Sequence, residues 1–227
     1  MAKRQPELTY QRILEAAAFE FADKGLSGAR VDAIADRAGA NKRMLYHYFG
    51  NKEALYLAVM ERAYEAIRSA EQDLELESRE PVDAISELVR FTFQYFVDHP
   101  EFMRLLNNEN LYNAQYIRRS PKIQELHFPL VDYIGEILHR GEAQGLFRHG
   151  VDPVQLYISI ASLGYFYLSN AATLGTIFDR DLLSEEALRI RLDHITEIIV
   201  GYLTSGASAQ KELKARARAG SAAPLDG

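Results

Sequence analysis

Apolar side chains in this chain of 227 residues recur every three or four positions, and no segment alternates Val, Ile and Thr with polar residues as a half-buried strand requires. Ile13, Ala17 and Phe21 open the pattern, and Leu188, Leu192, Ile195, Ile199 and Leu203 close it. A stripe of this period buries one face of a helix, so the chain is expected to be all-α. With 48% hydrophobic and 26% charged residues it carries enough apolar surface for a sizeable core.

Punctuation residues divide the pattern into helices. Thr9 is placed to cap a first helix over residues 10–24, with Gly25 as its stop, and a short helix is expected over Val31–Ala38. Gly39 and Ala40 form a turn, Asn41 caps a third helix over Lys42–Phe49, and Asn51 caps a long one expected to reach Ser78. Pro81 opens a helix ending near His99, and Pro100 opens a short one through Leu106, after which residues 107–119 are polar and read as a loop or frayed helix. A helix over residues 121–144, bent by Pro129 and stopped by Gly145, precedes a very apolar one over 153–174 and a last one, capped by Ser184, over 185–203. Apolar nearly all round, the 153–174 helix is expected to be buried on several sides. Residues 205–227, rich in Ala, Gly, Ser and charge, are expected to be disordered.

The net charge of −6 conceals a division: residues 1–52 carry nine Lys and Arg against six Asp and Glu, whereas residues 53–204 carry thirteen against twenty-four. One end can therefore approach a polyanion while the acidic body keeps the protein soluble. The absence of cysteine excludes disulfides, thiolate metal sites and a cysteine nucleophile, and fits a reducing cytoplasm. The basic segment at residues 1–6 is followed by no apolar run of the kind a signal peptide or membrane span needs, so a cytoplasmic protein is expected. The six histidines show no metal-ligand spacing, and there is neither a phosphate-binding glycine loop nor a nucleophile elbow; no enzyme, metal or cofactor is implied.

Residues 31–52, VDAIADRAGANKRMLYHYFGNK, carry the strongest functional signal. A short helix, a glycine-containing turn and a second short helix whose Leu45 and Phe49 face inward are the parts of a helix-turn-helix. The outward positions of the second helix are then Lys42, Arg43, Met44, Tyr46, His47 and Tyr48. In a major groove Lys and Arg donate to guanine O6 and N7, Met touches a thymine methyl, and Tyr and His donate to phosphates. A merely solvated helix face is the competing reading. His47 on that reading is an exposed, unpaired ring, and it has no neighbouring ligand at i+4 that would suggest metal.

These residues resemble the TetR family of regulators. The resemblance lies in Ile13-Leu14, Ala16-Ala17, Phe21 and Gly25, then Ile34-Ala35 and Ala38-Gly39, then Leu45-Tyr46, Tyr48-Phe49 and Lys52-Glu53-Ala54-Leu55, and covers residues 8–60. It implies base-edge contacts from Lys42, Arg43 and Met44, a backbone or thymine contact from Tyr46, and phosphate contacts from His47, Tyr48 and Lys52. Two positions depart from the family pattern, Ala29 and Asn41, where Thr and Ser are usual. Asn41 caps equally well; Ala29 does not, and Arg30 beside it is the substitute for the lost phosphate contact.

The resemblance further implies residues 1–51 as a three-helix DNA-binding domain joined to a larger helical effector-binding and dimerisation domain over residues 52–204. Its last two helices would pair with those of a second copy, and the homodimer would read a palindromic operator on double-stranded DNA. An unknown small-molecule effector is expected between the central helices, near Phe102, Met103, Leu106, Asn107, Asn110, Tyr112, Tyr116, His127, Tyr133, Tyr165, Phe166 and Ser169. Most of the aromatic members of this set read more readily as core. Arg104, Arg118 or Arg119 could pair with an anionic effector or lie on the surface as solvated charges. Effector binding would move the helix that starts at Asn51 and release the operator, making the protein a repressor. An activator of the same family and a protein-binding adaptor with a non-functional helix-turn-helix are the alternatives.

Overall fold

Helix ends set by residues in contact only with their own turn fall where the local chemistry puts them. The computed structural model describes residues 4–126 and 128–205, and among these residues it contains helices and no strand. The expectations for His127 and for residues 206–227 lie outside the described residues.

The first helix, α1 (Arg4–Gly28), starts before Thr9, which is buried inside it, its Oγ1 accepting a bond from Arg12 at 3.4 Å, and does not cap it. Gly25 does break the helix: its φ of 64° and ψ of 174° belong to a region that only glycine occupies at ease, and one further turn follows. Next come α2 (Val31–Ala38), ended by left-handed Gly39, and α3 (Lys42–Phe49), whose cap Asn41 accepts from Met44 N at 2.9 Å. Asn51 caps α4 (Lys52–Gln72) by accepting from Ala54 N at 2.7 Å.

The long helix expected to reach Ser78 stops at Gln72. Glu75 takes a left-handed backbone with φ 48°, and Leu76–Ser78 form a separate 3-10 turn that buries Leu76. α5 (Pro81–Asp98) begins at its proline, as expected. α6 (Pro100–Leu111) runs five residues past the expected end, because its inward face continues from Leu105 to Glu109, a buried carboxylate that looks like surface in the sequence. A turn with two left-handed residues, Asn113 and Ala114, and a 3-10 segment (Ile117–Arg119) follow.

The helix expected over residues 121–144 is two, α7 (Pro121–Glu125) and α8 (Phe128–Ala143). Pro129 lies in the first turn of α8, where its missing N–H costs nothing, so it sits at a helix start instead of a bend. Likewise the apolar helix over 153–174 divides at Asn170 into α9 (Pro153–Ser169) and α10 (Ala171–Phe178). α11 (Glu185–Thr204) is capped by Ser184, whose Oγ accepts from Ala187 N at 3.3 Å.

The chain forms two compact units. The first comprises Met1–Asp73 and Gln94–Pro129, and Ile13, Phe21, Ile34, Leu45, Leu55, Tyr56 and Met60 are buried in it. The second comprises Leu74–Phe93 and Leu130–Gly227, where Ile85, Leu88, Ile134, Leu156, Ile160, Ile195 and Ile199 are buried. Burying side chains of this size stabilises by about 1.5–3 kcal/mol each. α9 is not buried on several sides in the single chain: Leu156, Ile160 and Gly164 point inward, while Val154, Ile158 and Phe166 are exposed.

Candidate nucleic-acid interface

α3 is held from below and left open above. Leu45 is buried at its centre, and Phe49, one turn on, stacks on Tyr10 of α1 with ring centroids 4.8 Å apart. These anchors turn Lys42, Arg43, Tyr46 and His47 into solvent. Tyr46 exposes nearly half of its surface, although nothing in its own unit requires an exposed aromatic ring there.

Two of the six side chains expected to project outward do so only in part. Met44 and Tyr48 flank Leu45 at i−1 and i+3, so both are half-buried. Tyr48 meets Tyr10 edge-on at 5.8 Å and donates its hydroxyl hydrogen to Pro6 O at 3.2 Å, tying α3 to the start of α1. His47 is exposed and lies edge-on to Tyr48 at 5.5 Å.

The cations around α3 are organised by acidic residues on α1 and α2. Lys42 is ion-paired with Asp32, in the first turn of α2, and Arg30 Nη2 lies 4.0 Å from the same carboxylate. Arg43 has no ion-pair partner among the described residues. Lys52, the first residue of α4, donates from Nζ to Ala29 O at 2.9 Å, bracing the loop where the usual Thr is missing.

Glu20, which sequence reasoning passed over, organises the same loop. Its buried carboxylate accepts from Lys24 Nζ at 2.9 Å and from Arg30 N at 3.3 Å. Burial pushes its pKa up, but these bonds and the Lys24 and Arg37 charges prevail and hold it below the usual carboxylate value. The only sequence signal was a Glu–Lys pair at i,i+4, which is common on any helix.

The expected effector residues that are described are divided between the two units. Phe102, Met103, Leu106, Asn107, Asn110, Tyr112 and Tyr116 belong to the first unit, and Tyr133, Tyr165, Phe166 and Ser169 to the second. Phe102 and Met103 are buried, and Phe102 meets Tyr64, Tyr95 and Phe96 ring to ring. Leu106 is half-buried, and Asn107 and Asn110 are exposed. Tyr112 and Tyr116 serve the turn after α6, with Arg118 donating to Asn113 O and Arg119 lying over the Tyr116 ring. In the second unit Tyr133 and Tyr165 are half-buried, Ser169 Oγ accepts from Asn170 Nδ2 at 3.0 Å, and Phe166 is 59% exposed. A cavity of about 530 Å3 in the first unit is lined by Leu14, Phe19, Val59, Arg62, Phe102 and Arg104, among others. Among the expected residues that are described, Phe102 is the one that lines it.

Apolar side chains stand exposed on the last three helices. Besides Val154, Ile158 and Phe166 of α9, they include Ile177 and Phe178 of α10, and Ile190, Ile198 and Tyr202 of α11. Among the described residues no helix is long and apolar enough to cross a membrane, and no cluster of His, Asp and Glu could hold a metal ion.

Comparison with known proteins gives matches along most of the chain. The family model described as bacterial regulatory proteins, tetR family, matches residues 13–59, and the one described as tetracyclin repressor-like, C-terminal domain, matches residues 81–199. The chain is 37% identical over 195 residues to the HTH-type transcriptional repressor NicS of Pseudomonas putida, covering 86% of this chain and 92% of that protein. It is 43% identical over 202 residues to the HTH-type transcriptional repressor SCO4008 of Streptomyces coelicolor, covering 84% and 98%. Among solved structures, the putative transcriptional regulator SCO4942 from Streptomyces coelicolor superposes with a TM-score of 0.66 at 26% identity, covering 87% of this chain and 99% of that one.

Proposed function

The chain belongs to the tetR family of bacterial regulatory proteins, and from that premise we propose that it is a cytoplasmic repressor that binds a palindromic operator as a homodimer and leaves it when a small molecule binds. The observation that carries this reading is the open face of α3: Lys42, Arg43, Tyr46 and His47 project from a helix whose other side is anchored by Leu45 and Phe49. Its residues 42–49 are short enough to lie within one major groove, where Arg43 donates to guanine and Lys42 and Met44 meet neighbouring base edges. Tyr46, His47 and Tyr48 contact the sugar-phosphate backbone on either side, with Arg30, Asn41 and Lys52 at the entry to the helices.

One such helix reads too few bases to select a site, so a symmetric pair is required. The exposed apolar side chains of α9, α10 and α11 support pairing there, since monomers seldom leave so many uncovered. In this reading residues 1–51 bind DNA and residues 52–204 bind the effector and the second copy. An effector that favours one arrangement of the helices over another shifts α4 and spoils docking of the two α3 helices on half-sites separated by one or more turns of roughly 34 Å. A coupling of about 1–3 kcal/mol weakens operator binding by roughly 5- to 150-fold. Selection of bound duplexes from a random pool tests the reading: a palindrome should be enriched. A pool without enrichment at low salt overturns it.

A further inference from the structure

The last turn of α1 leads directly into the helix-turn-helix, and two side chains of α6 hold it. Asn108 donates from Nδ2 to Phe21 O at 3.0 Å, and its Oδ1 lies 3.3 Å from where a Cβ on Gly25 would stand. Four residues along α6, at its C-terminal cap, the Tyr112 hydroxyl shares a 2.5 Å hydrogen bond with Ser27 Oγ. Asn108 thus takes hold of a carbonyl one turn before the glycine break, and Tyr112 takes hold of the turn just after it.

Tyr112 is itself held in place by the turn that follows it. Asn113 and Ala114 are left-handed, a conformation that Asn tolerates and Ala does not favour, and the buried carboxylate of Glu109 closes the turn by accepting from Tyr116 N at 2.8 Å and Ile117 N at 3.0 Å. Tyr116 meets Tyr112 edge-on at 5.8 Å and Tyr56 of α4 at 5.3 Å, and Tyr56 in turn meets Phe21 of α1 at 5.2 Å. The Tyr56 phenol is driven up in pKa first by burial and then by the neighbouring Glu109 charge, so it stays a neutral ring within this circuit. Contacts therefore run from α1 to α4, from α4 to the turn after α6, and from that turn back to α1 at Ser27.

Resting on the reading that α3 binds duplex DNA, we propose that Asn108 and Tyr112 are positioning residues for DNA recognition: by clamping the glycine break of α1 they fix the angle at which α2 and α3 are presented. Neither residue need touch DNA. Any event that rearranges the 112–117 turn, through Glu109 or the Tyr56–Tyr116 contact, releases Ser27 and lowers operator affinity while the bases read stay the same.

The test uses the full-length protein and the palindrome selected by the wild type. Tyr112→Phe, Ser27→Ala, the pair together and Asn108→Ala are titrated against it at a temperature where melting curves show every variant folded. Tyr112→Phe and Ser27→Ala should each weaken binding about 2- to 10-fold, the range open to one net hydrogen bond, and the pair no more than either alone. Base preference and the salt slope should be those of the wild type. Wild-type affinity in Tyr112→Phe, or additive losses in the pair, overturns the proposal while leaving the repressor reading intact. A wild type that selects no sequence overturns both.

Discussion

Lys42, the first residue of the proposed reading helix, is ion-paired with Asp32 in the first turn of the helix before it. Both side chains are about half exposed, so the pair contributes little to stability. It matters instead for charge, because Asp32 sits between Lys42 and Arg30 and offsets both in the absence of DNA. Asp32→Asn is therefore expected to tighten binding to duplexes of every sequence. The slope of log affinity against log salt should steepen by about 0.9 if one more phosphate contact forms. Titrations between roughly 50 and 200 mM salt measure it; a slope equal to the wild type's would mean that Asp32 does not compete with the phosphates.

Arg43, exposed and without an ion-pair partner among the described residues, is the side chain best placed to read a base. Arg43→Ala should cost about 1–3 kcal/mol of operator binding and relax preference at one position in each half-site. Repeating the duplex selection with the variant decides the matter. Equal weakening at all sequences would transfer Arg43 to the phosphate contacts.

Arg68 and Glu71 lie against each other with each side chain only 4% exposed, Nη1 and Oε2 being 2.8 Å apart. Burial raises the Glu71 pKa from 4.5 to about 7, the Arg68 charge opposing it only in part. The folded state therefore holds a proton that the unfolded state has released, so this group's contribution is full below pH 4.5 and is lost as pH rises to about 7. Gln at this position is neutral throughout, whatever constant offset the neighbouring Arg68 adds. Melting curves of Glu71→Gln and the wild type should diverge in favour of the variant as pH rises from 5 to about 7 and run parallel above that value. A constant difference across this range would show that Glu71 ionises normally.

Phe166 is 59% exposed on α9, and Ile177 is 66% exposed on α10. An Asp at either position costs the single chain little, because the side chain is already in water, but a charge there would be buried on pairing. Phe166→Asp should give monomers in sedimentation experiments where the wild type gives dimers, and should weaken operator binding in parallel. A dimeric Phe166→Asp protein would place the interface elsewhere.

Four helix starts were legible because each depends on one side chain and a backbone N–H three residues away. Asn41, Asn51, Asp152 and Ser184 cap as their chemistry requires, and Gly25, Gly39 and Gly145 mark ends where a positive φ is needed. The apolar period likewise placed Leu45 at the inner face of α3 before any contact was known. The same local rules failed wherever a distant partner decided. The polar run after Leu106 stayed helical because Glu109 is buried and finds donors at Tyr116 and Ile117. Tyr48 turned toward α1 because Tyr10 and the Pro6 carbonyl were there to receive it.

The amino-acid order alone therefore settled the helical class and the helix-turn-helix, and put Lys42, Arg43, Tyr46 and His47 on the exposed face of α3, since these depend on period, caps and glycines within a few residues of one another. Only the tertiary structure could join Ser27 to Tyr112, 85 positions apart, or set Asp32 against Lys42 and leave Phe166 uncovered. Such contacts depend on how whole helices pack, which no apolar period, cap or glycine within a few residues determines.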